Sequence, residues 1–146
     1  PETHDYLAGL GASGFIDRAS LTEKAAPLQK ERWSGAVDNV GSTTLAKVLS
    51  QTVYGGAVAA CGLAGGADLP ATVLPHILRG VALLGIDSVF APMAKRKRAW
   101  QTLADHLDRG HLSALASVEP MSKVPELAEA IVAGKIRGRV VIDVNR

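Results

Sequence analysis

The fold is decided by three stretches of sequence: WSGAVDNVG at residues 33–41, AVAACGLAGG at 57–66 and VALLGIDSV at 81–89. Each stretch begins with small and apolar residues and continues into glycine or polar residues. The apolar runs are continuous and do not alternate with polar residues, which is typical of strands buried on both faces of a parallel sheet. The three stretches therefore predict parallel strands, each followed by a flexible loop.

Helices are predicted between and after these strands. The spacing of Leu45, Val48 and Leu49 predicts a helix that follows the first strand. In the carboxyl-terminal third of the chain, helices are predicted at 95–107 and 125–133, and a last strand at 140–144. The alternation of strands and helices predicts an α/β fold, a partial doubly wound (Rossmann-type) parallel sheet.

Several local features complete the predicted organisation. Residues 54–56, Tyr-Gly-Gly, indicate a turn, and residues 13–17 indicate the end of a further strand. The apolar side of the helix at 95–107, which includes Trp100 and Leu103, is expected to face inward.

Composition excludes several classes of protein. The chain has 146 residues, of which 47% are hydrophobic and 21% charged, as expected for a soluble domain with a packed core. Its net charge is +2 and only 4% of its residues are aromatic, so neither nucleic acid nor a membrane surface is indicated as the main partner. The single cysteine, Cys61, cannot form an internal disulfide or a zinc cluster, which favours the reducing cytoplasm.

The loops after the three strands form the predicted ligand crevice. In open α/β sheets, ligands bind beyond the carboxyl ends of the strands, and glycine there lets a flat ligand approach the backbone. The alternative is that each loop is an ordinary glycine turn. Cys61 is interpreted as a small core residue and not as a nucleophile, because the histidines offer it no convincing partner and no catalytic triad is apparent.

Two other motifs are ambiguous. Residues 9–14, GLGASG, imitate a dinucleotide-binding glycine loop, but they follow a predicted helix and not a strand, so they are interpreted as a helix stop. Residues 95–98, Lys-Arg-Lys-Arg, are the densest run of charge. A solvated helix face is the simplest explanation of this run, and a contact with a phosphate or carboxylate is the alternative.

Residues 33–41, 54–66 and 78–88, which overlap the three stretches quoted above, together resemble the medium-chain dehydrogenase/reductase superfamily. The similarity is greatest to its quinone-oxidoreductase-like branch, typified by bacterial NADPH-dependent acryloyl-CoA reductases. The opening residues 2–7, ETHDYL, and the closing residues 138–141, GRVV, fit the same branch. The resemblance covers essentially the whole chain, and its motifs are specific only in combination.

The resemblance implies a particular domain organisation. Residues 1–110 would be the later part of a nucleotide-binding domain that lacks its first βαβ unit. Residues 111–146 would be the returning carboxyl-terminal segment of the catalytic domain. The expectation is therefore that the sequence is the carboxyl-terminal part of a longer protein and is inactive by itself.

The resemblance also implies an activity and a set of cofactor-binding residues. The parent protein would transfer hydride from NADPH, without zinc, to an α,β-unsaturated acyl-CoA or a quinone-like acceptor. By position in the family, the residues expected to bind the cofactor are Arg18, Leu63, Ile77, Ser88 and Asn145. No catalytic residue is assigned, because the proton donor is expected outside this sequence. A homodimer formed through the strand at 81–89 is also expected.

Two other classes remain open from the sequence. A non-catalytic structural or nucleotide-binding relative is possible, because members of the family have been recruited as lens proteins. A methyltransferase-like α/β domain would require an acidic residue after an early strand beside a glycine loop, and the sequence does not show that combination.

Overall fold

The structure, a computed structural model, describes residues 3–24 and 26–146, so Glu2 of the opening motif lies outside the described residues. The chain forms two compact units, the first ending at Ala91 and the second beginning at Pro92. The domain boundary expected near residue 110 stays a prediction, since compactness alone does not decide to which domain of a longer protein a segment belongs.

The first unit is built around a three-stranded parallel sheet. Its described elements are α1 (His4–Gly9), α2 (Ala19–Thr22), β1 (Trp33–Asp38), α3 (Ser42–Ser50), β2 (Thr52–Ala60), α4 (Leu74–Arg79) and β3 (Ala82–Gly85). β2 lies in the middle, and β1 and β3 are the edge strands. All pairings are parallel, which confirms the α/β class predicted from the sequence.

The core of the first unit lies between α3 and the sheet. Leu45 and Leu49 of α3 are buried against Val58 of β2, and Val81 joins this cluster just before β3. Burying a Leu or Val side chain contributes about 1.5–3 kcal/mol. Val48 packs beside the cluster, so the predicted apolar face of this helix is confirmed.

Only one face of the sheet is covered among the described residues. Right-handed connections that step in the same direction, from β1 to β2 and from β2 to β3, place their helices on the same side. Accordingly, Pro75 of α4 shares a small cavity with Ala46 and Ser50 of α3. On the exposed side, Val37 and Leu84 retain 81% and 50% of their accessible surface. The expectation of burial on both faces is wrong for this part of the chain.

Residues 54–56 do not form a turn between elements, as predicted, but lie within β2. The pairing register shifts between Trp33 and Gly35, so that residues 53–56 of β2 lie opposite Ser34 alone. Gly55 has a φ of 72°, a left-handed conformation that glycine adopts without steric cost. The glycines therefore form a bulge in a longer strand.

Two predicted strands also differ from the structure. Residues 13–17 form no strand, and the carboxylate of Asp17 instead accepts a hydrogen bond from the N–H of Ala19 (3.0 Å) at the start of α2. The strand predicted at 81–89 is shorter, because β3 ends at Gly85 and the side chain of Asp87 begins a turn.

Arg79, the last residue of α4, joins three segments at the amino-terminal side of the sheet. Its guanidinium donates to the carbonyl oxygens of Gln29 (2.7 Å), Ser50 (2.9 Å) and Thr52 (3.3 Å). Its Nε also lies 3.1 Å from a carboxylate oxygen of Glu31. The guanidinium therefore fixes the entry to β1 and the start of β2 against α4.

The second unit contains a two-stranded parallel sheet and the remaining helices. Its described elements are α5 (Met93–His106), α6 (Arg109–Leu115), β4 (Ala116–Pro120), a 3-10 helix (Met121–Lys123), α7 (Val124–Val132) and β5 (Arg139–Asp143). α5, α7 and β5 were predicted, whereas α6 and β4 were not. Between α7 and β5 lies an open, mainly apolar groove of about 380 Å³, which Leu127 and Ile142 line.

The apolar side of α5 is exposed in the described structure. Trp100 retains 67% of its accessible surface, and Leu103 and Leu107 are also exposed. The prediction that this side faces inward is wrong for the part of the chain that the structure describes. None of the helices in the described ranges has the length and apolar character needed to cross a membrane.

Candidate functional site

The carboxyl ends of the three strands of the first unit lie side by side. Asp38 of β1 pairs with Ala60 of β2, which pairs in turn with Gly85 of β3. The N–H of Ile86 donates to the carbonyl of Ala60 (2.9 Å) and continues the ladder by one residue. Three loops therefore leave the sheet at one edge, where α/β proteins bind their ligands.

The first loop is fixed by a buried carboxylate. Asp38 is only 5% exposed, and its Oδ2 accepts a hydrogen bond from the N–H of Gly41 (2.9 Å). Gly41 has a φ of 75°, so the chain turns sharply and α3 begins at the next residue. The sequence analysis did not single out Asp38, although an acidic residue at the end of an apolar strand is a recognisable signal.

The second loop, residues 61–66, packs backbone against backbone on the first. The N–H of Cys61 donates to the carbonyl of Asp38 (2.8 Å), and the N–H of Gly65 donates to the carbonyl of Val40 (2.7 Å). A Cβ added at Gly62 would lie 2.8 Å from the carbonyl oxygen of Asn39. The close contact between the two loops is therefore enough to explain the glycine at position 62. This agrees with the alternative that the loop is an ordinary glycine turn.

Part of the edge remains open and apolar. Leu63, in the second loop, is 64% exposed, and Val37 and Ile86 from the neighbouring segments are exposed as well. A Cβ added at Gly85 would meet no atom within 4 Å. Exposed aliphatic side chains beside small residues suit one face of a flat ring, such as an adenine or a nicotinamide.

The third loop is held by Asp87. Its Oδ1 accepts hydrogen bonds from the N–H groups of Val89 (2.8 Å) and Phe90 (3.0 Å). This turn holds Ser88 in an exposed position just beyond β3. Leu63 and Ser88, two of the expected cofactor-binding residues, thus lie on loops that follow adjacent strands.

The other expected cofactor-binding residues lie on separate elements. Ile77 is an exposed residue of α4, in the same unit. Arg18 immediately precedes α2 and lines an open groove of about 650 Å³, together with His4 and Phe15. Asn145 follows β5 in the second unit, where its N–H donates to the side chain of Asp143. These placements do not test the proposed roles.

Cys61 is not the core residue that the sequence suggested. β2 ends at Ala60, so Cys61 begins the loop and is exposed, with its thiol 3.3 Å from the carbonyl oxygen of Asp38. His76 is used structurally, since its Nδ1 lies 2.7 Å from the carbonyl oxygen of Val81. Within the described residues, no group of three or more His, Cys, Asp or Glu side chains could hold a metal ion.

Comparison with known proteins shows that the chain as a whole is similar to reductases. No protein-family profile matches the chain. The acrylyl-CoA reductase AcuI of Ruegeria pomeroyi is 51% identical over 146 residues, which cover 99% of this chain and 44% of that protein. Among solved structures, Escherichia coli K-12 YhdH with bound NADPH is 49% identical, with a TM-score of 0.92 over 99% of this chain and 44% of that one.

A second solved structure extends the comparison. Bacillus subtilis yhfP with bound NAD is 42% identical, with a TM-score of 0.92 over 99% of this chain and 44% of that one. The fold is thus that of a Rossmann-type oxidoreductase, and the chain is homologous to the quinone-oxidoreductase-like reductases of the medium-chain superfamily. The resemblance stated from the sequence is confirmed, and the chain spans less than half the length of these relatives.

Proposed function

We propose that this chain is the later part of an NADPH-dependent reductase that converts acryloyl-CoA to propanoyl-CoA. The observation that carries the proposal is the 51% identity to an acrylyl-CoA reductase, which extends over 99% of the chain. The NADPH bound by a homologue of nearly identical fold supports the choice of cofactor. In this proposal, residues 1–110 belong to the nucleotide-binding domain and residues 111–146 to the returning segment of the catalytic domain.

The residues of this chain would bind and orient the cofactor. When it is bound, the nicotinamide supplies the hydride, and the protein supplies position and electrostatics. Leu63 and Ile77 would flank the cofactor with their exposed aliphatic side chains, and Ser88 would lie beside the nicotinamide. Arg18 would approach the phosphate of the adenosine, and Asn145 would approach the cofactor from the end of the last strand.

A quinone-like acceptor is the second candidate. It is favoured by the Bacillus subtilis protein YhfP, named a putative quinone oxidoreductase, to which 145 residues are 45% identical. A non-catalytic nucleotide-binding role would leave both substrates unreduced. The full-length protein should therefore be assayed for NADPH oxidation with acryloyl-CoA and with simple quinones, and NADH should replace NADPH poorly. Reduction of neither acceptor would contradict an enzymatic role.

The variant Ser88→Trp should lower kcat/KM for acryloyl-CoA about a hundredfold in the full-length enzyme, because a bulky ring would displace the nicotinamide from its reactive position. The control is Ser122→Trp, which places the same ring at an exposed serine of the 3-10 helix and should change turnover little. Steady-state kinetics of both variants provide the measurement. Equal activity of the two variants would mean that Ser88 does not border the reacting ring.

We also propose that the protein is a homodimer paired through the segment 81–89. β3 is an edge strand, and Leu84 and Ile86 are about half exposed. An exposed edge presents unpaired N–H and C=O groups, and a two-fold axis allows the same strand of a second copy to pair with it.

The dimer proposal predicts the effect of a charge at the edge strand. Leu84→Lys should raise the dimer dissociation constant about a hundredfold, because the ammonium would be buried without a partner. Light scattering at several concentrations measures the change. Val132→Lys places the same charge at a highly exposed residue of α7 and should leave the dimer intact. An unchanged dimer in Leu84→Lys would place the interface elsewhere.

A further inference from the structure

The first half of α5 carries an unusual concentration of positive charge. Residues 95–98 are all Lys or Arg, and the first turn of the helix has no acidic residue. Within the described ranges, Lys95, Lys97 and Arg98 form no ion pair. Cations near a helix amino terminus are opposed by the helix dipole, so a bound anion would relieve the repulsion.

The four basic residues do not share one face of the helix. Arg96 and Lys97 lie on the same exposed face of α5 as Met93 and Trp100, and Lys95 and Arg98 do not. The helical repeat of 3.6 residues explains this division, since Lys95 and Arg98 project from the opposite side. All four side chains are exposed, as the interpretation of a solvated helix face predicts, but only Arg96 and Lys97 share a face with Trp100.

The same face of α5 carries an aromatic side chain. Trp100, one turn beyond Arg96 and Lys97, is 67% exposed. Met93 and Gln101 add a thioether and an amide to this face. An exposed indole next to two cations combines a stacking surface for a base with donors for phosphate oxygens.

We propose that this face of α5 binds the 3′-phosphorylated adenosine diphosphate part of a coenzyme A thioester. The adenine would stack on the indole of Trp100, and the phosphates would bind Arg96 and Lys97. The low aromatic content and a net charge of only +2 favour a single nucleotide over a nucleic acid chain. This inference rests on the proposed acyl-CoA reductase function.

The test uses two double variants of the full-length enzyme that remove the same charge from the same helix. Arg96→Ala/Lys97→Ala should raise KM for acryloyl-CoA about tenfold, with little change in kcat, because the lost contacts hold the nucleotide and not the reacting carbons. Lys95→Ala/Arg98→Ala, the matched control, should leave KM within about twofold of wild type. The KM for NADPH should be unchanged in both.

Two further measurements make the assignment specific. Acryloyl-pantetheine lacks the nucleotide, so its kcat/KM should not respond to Arg96→Ala/Lys97→Ala. Calorimetry with free CoA and with 3′-dephospho-CoA measures binding without turnover, and the variant should lose the preference for CoA. Equal effects of the two double variants, or a raised KM for NADPH alone, would overturn the site. An enzyme that binds CoA in this way but does not reduce acryloyl-CoA would contradict only the proposed reaction.

Discussion

Replacing Arg79 with methionine should lower the free energy of unfolding by about 4 kcal/mol. The substitution keeps a long apolar stem but removes three hydrogen bonds to main-chain carbonyls and the ion pair with Glu31. The Arg79 side chain is only 17% exposed, so water replaces these partners poorly. Urea unfolding followed by circular dichroism provides the measurement.

The control for Arg79 is an exposed ion pair in the second unit. Lys123 donates to the carboxylate of Glu126 (2.7 Å), which raises the pKa of Lys123, but both side chains are largely exposed. Lys123→Met should therefore change stability by less than about 1 kcal/mol. If Arg79→Met lowers the free energy of unfolding by no more than Lys123→Met does, the guanidinium does not join the segments in the way its contacts indicate.

The 146-residue chain by itself should bind NADPH no more tightly than about 1 mM, roughly −4 kcal/mol. The pyrophosphate of a dinucleotide normally binds a glycine-rich loop at a helix amino terminus, and no such loop follows a strand in this sequence. The amino terminus of α3 cannot replace this loop, because the carboxylate of Asp38 already accepts a hydrogen bond from the N–H of Gly41, directly before the helix. A phosphate there would meet a negative charge.

Isothermal titration calorimetry tests this prediction, with the full-length protein as the control that should bind NADPH at micromolar concentration. Circular dichroism of the 146-residue chain must first show the expected helix and strand content. Micromolar binding by the folded chain would mean that the essential phosphate site lies within these residues.

The sequence predicted the fold class because the signal for buried parallel strands is local. Residues 33–38, 57–60 and 82–85 are mainly small and apolar, each is followed within a few residues by glycine or an acidic residue, and all three lie in strands. The bulge in β2 was missed because Tyr-Gly-Gly favours a turn in isolation, and only pairing with β1 makes it part of a strand. β4 was missed because ASVEP has a weak strand propensity and gains its stability from pairing with β5.

The location of the candidate site could be predicted from the sequence, but most of the contacts within it could not. That three loops meet at one edge follows from parallel topology. The packing of Gly62 and Gly65 on the preceding loop is a long-range backbone contact, which no local pattern shows. The role of Arg79 was missed for the same reason, since its partners are carbonyls 27–50 residues away in the sequence. Asp38 differs, because its partner Gly41 is only three residues away and its position after an apolar strand was a usable signal.

The position of Cys61 has a practical consequence. This sequence has one cysteine, and its sulfur is exposed at the carboxyl end of β2, next to the loop that carries Leu63. A maleimide fluorophore attached to this sulfur would sit at the rim of the proposed crevice without any engineered mutation in these residues. The emission of the fluorophore would respond to the polarity of that rim. A change in emission during a titration with nucleotides would therefore report binding at the crevice.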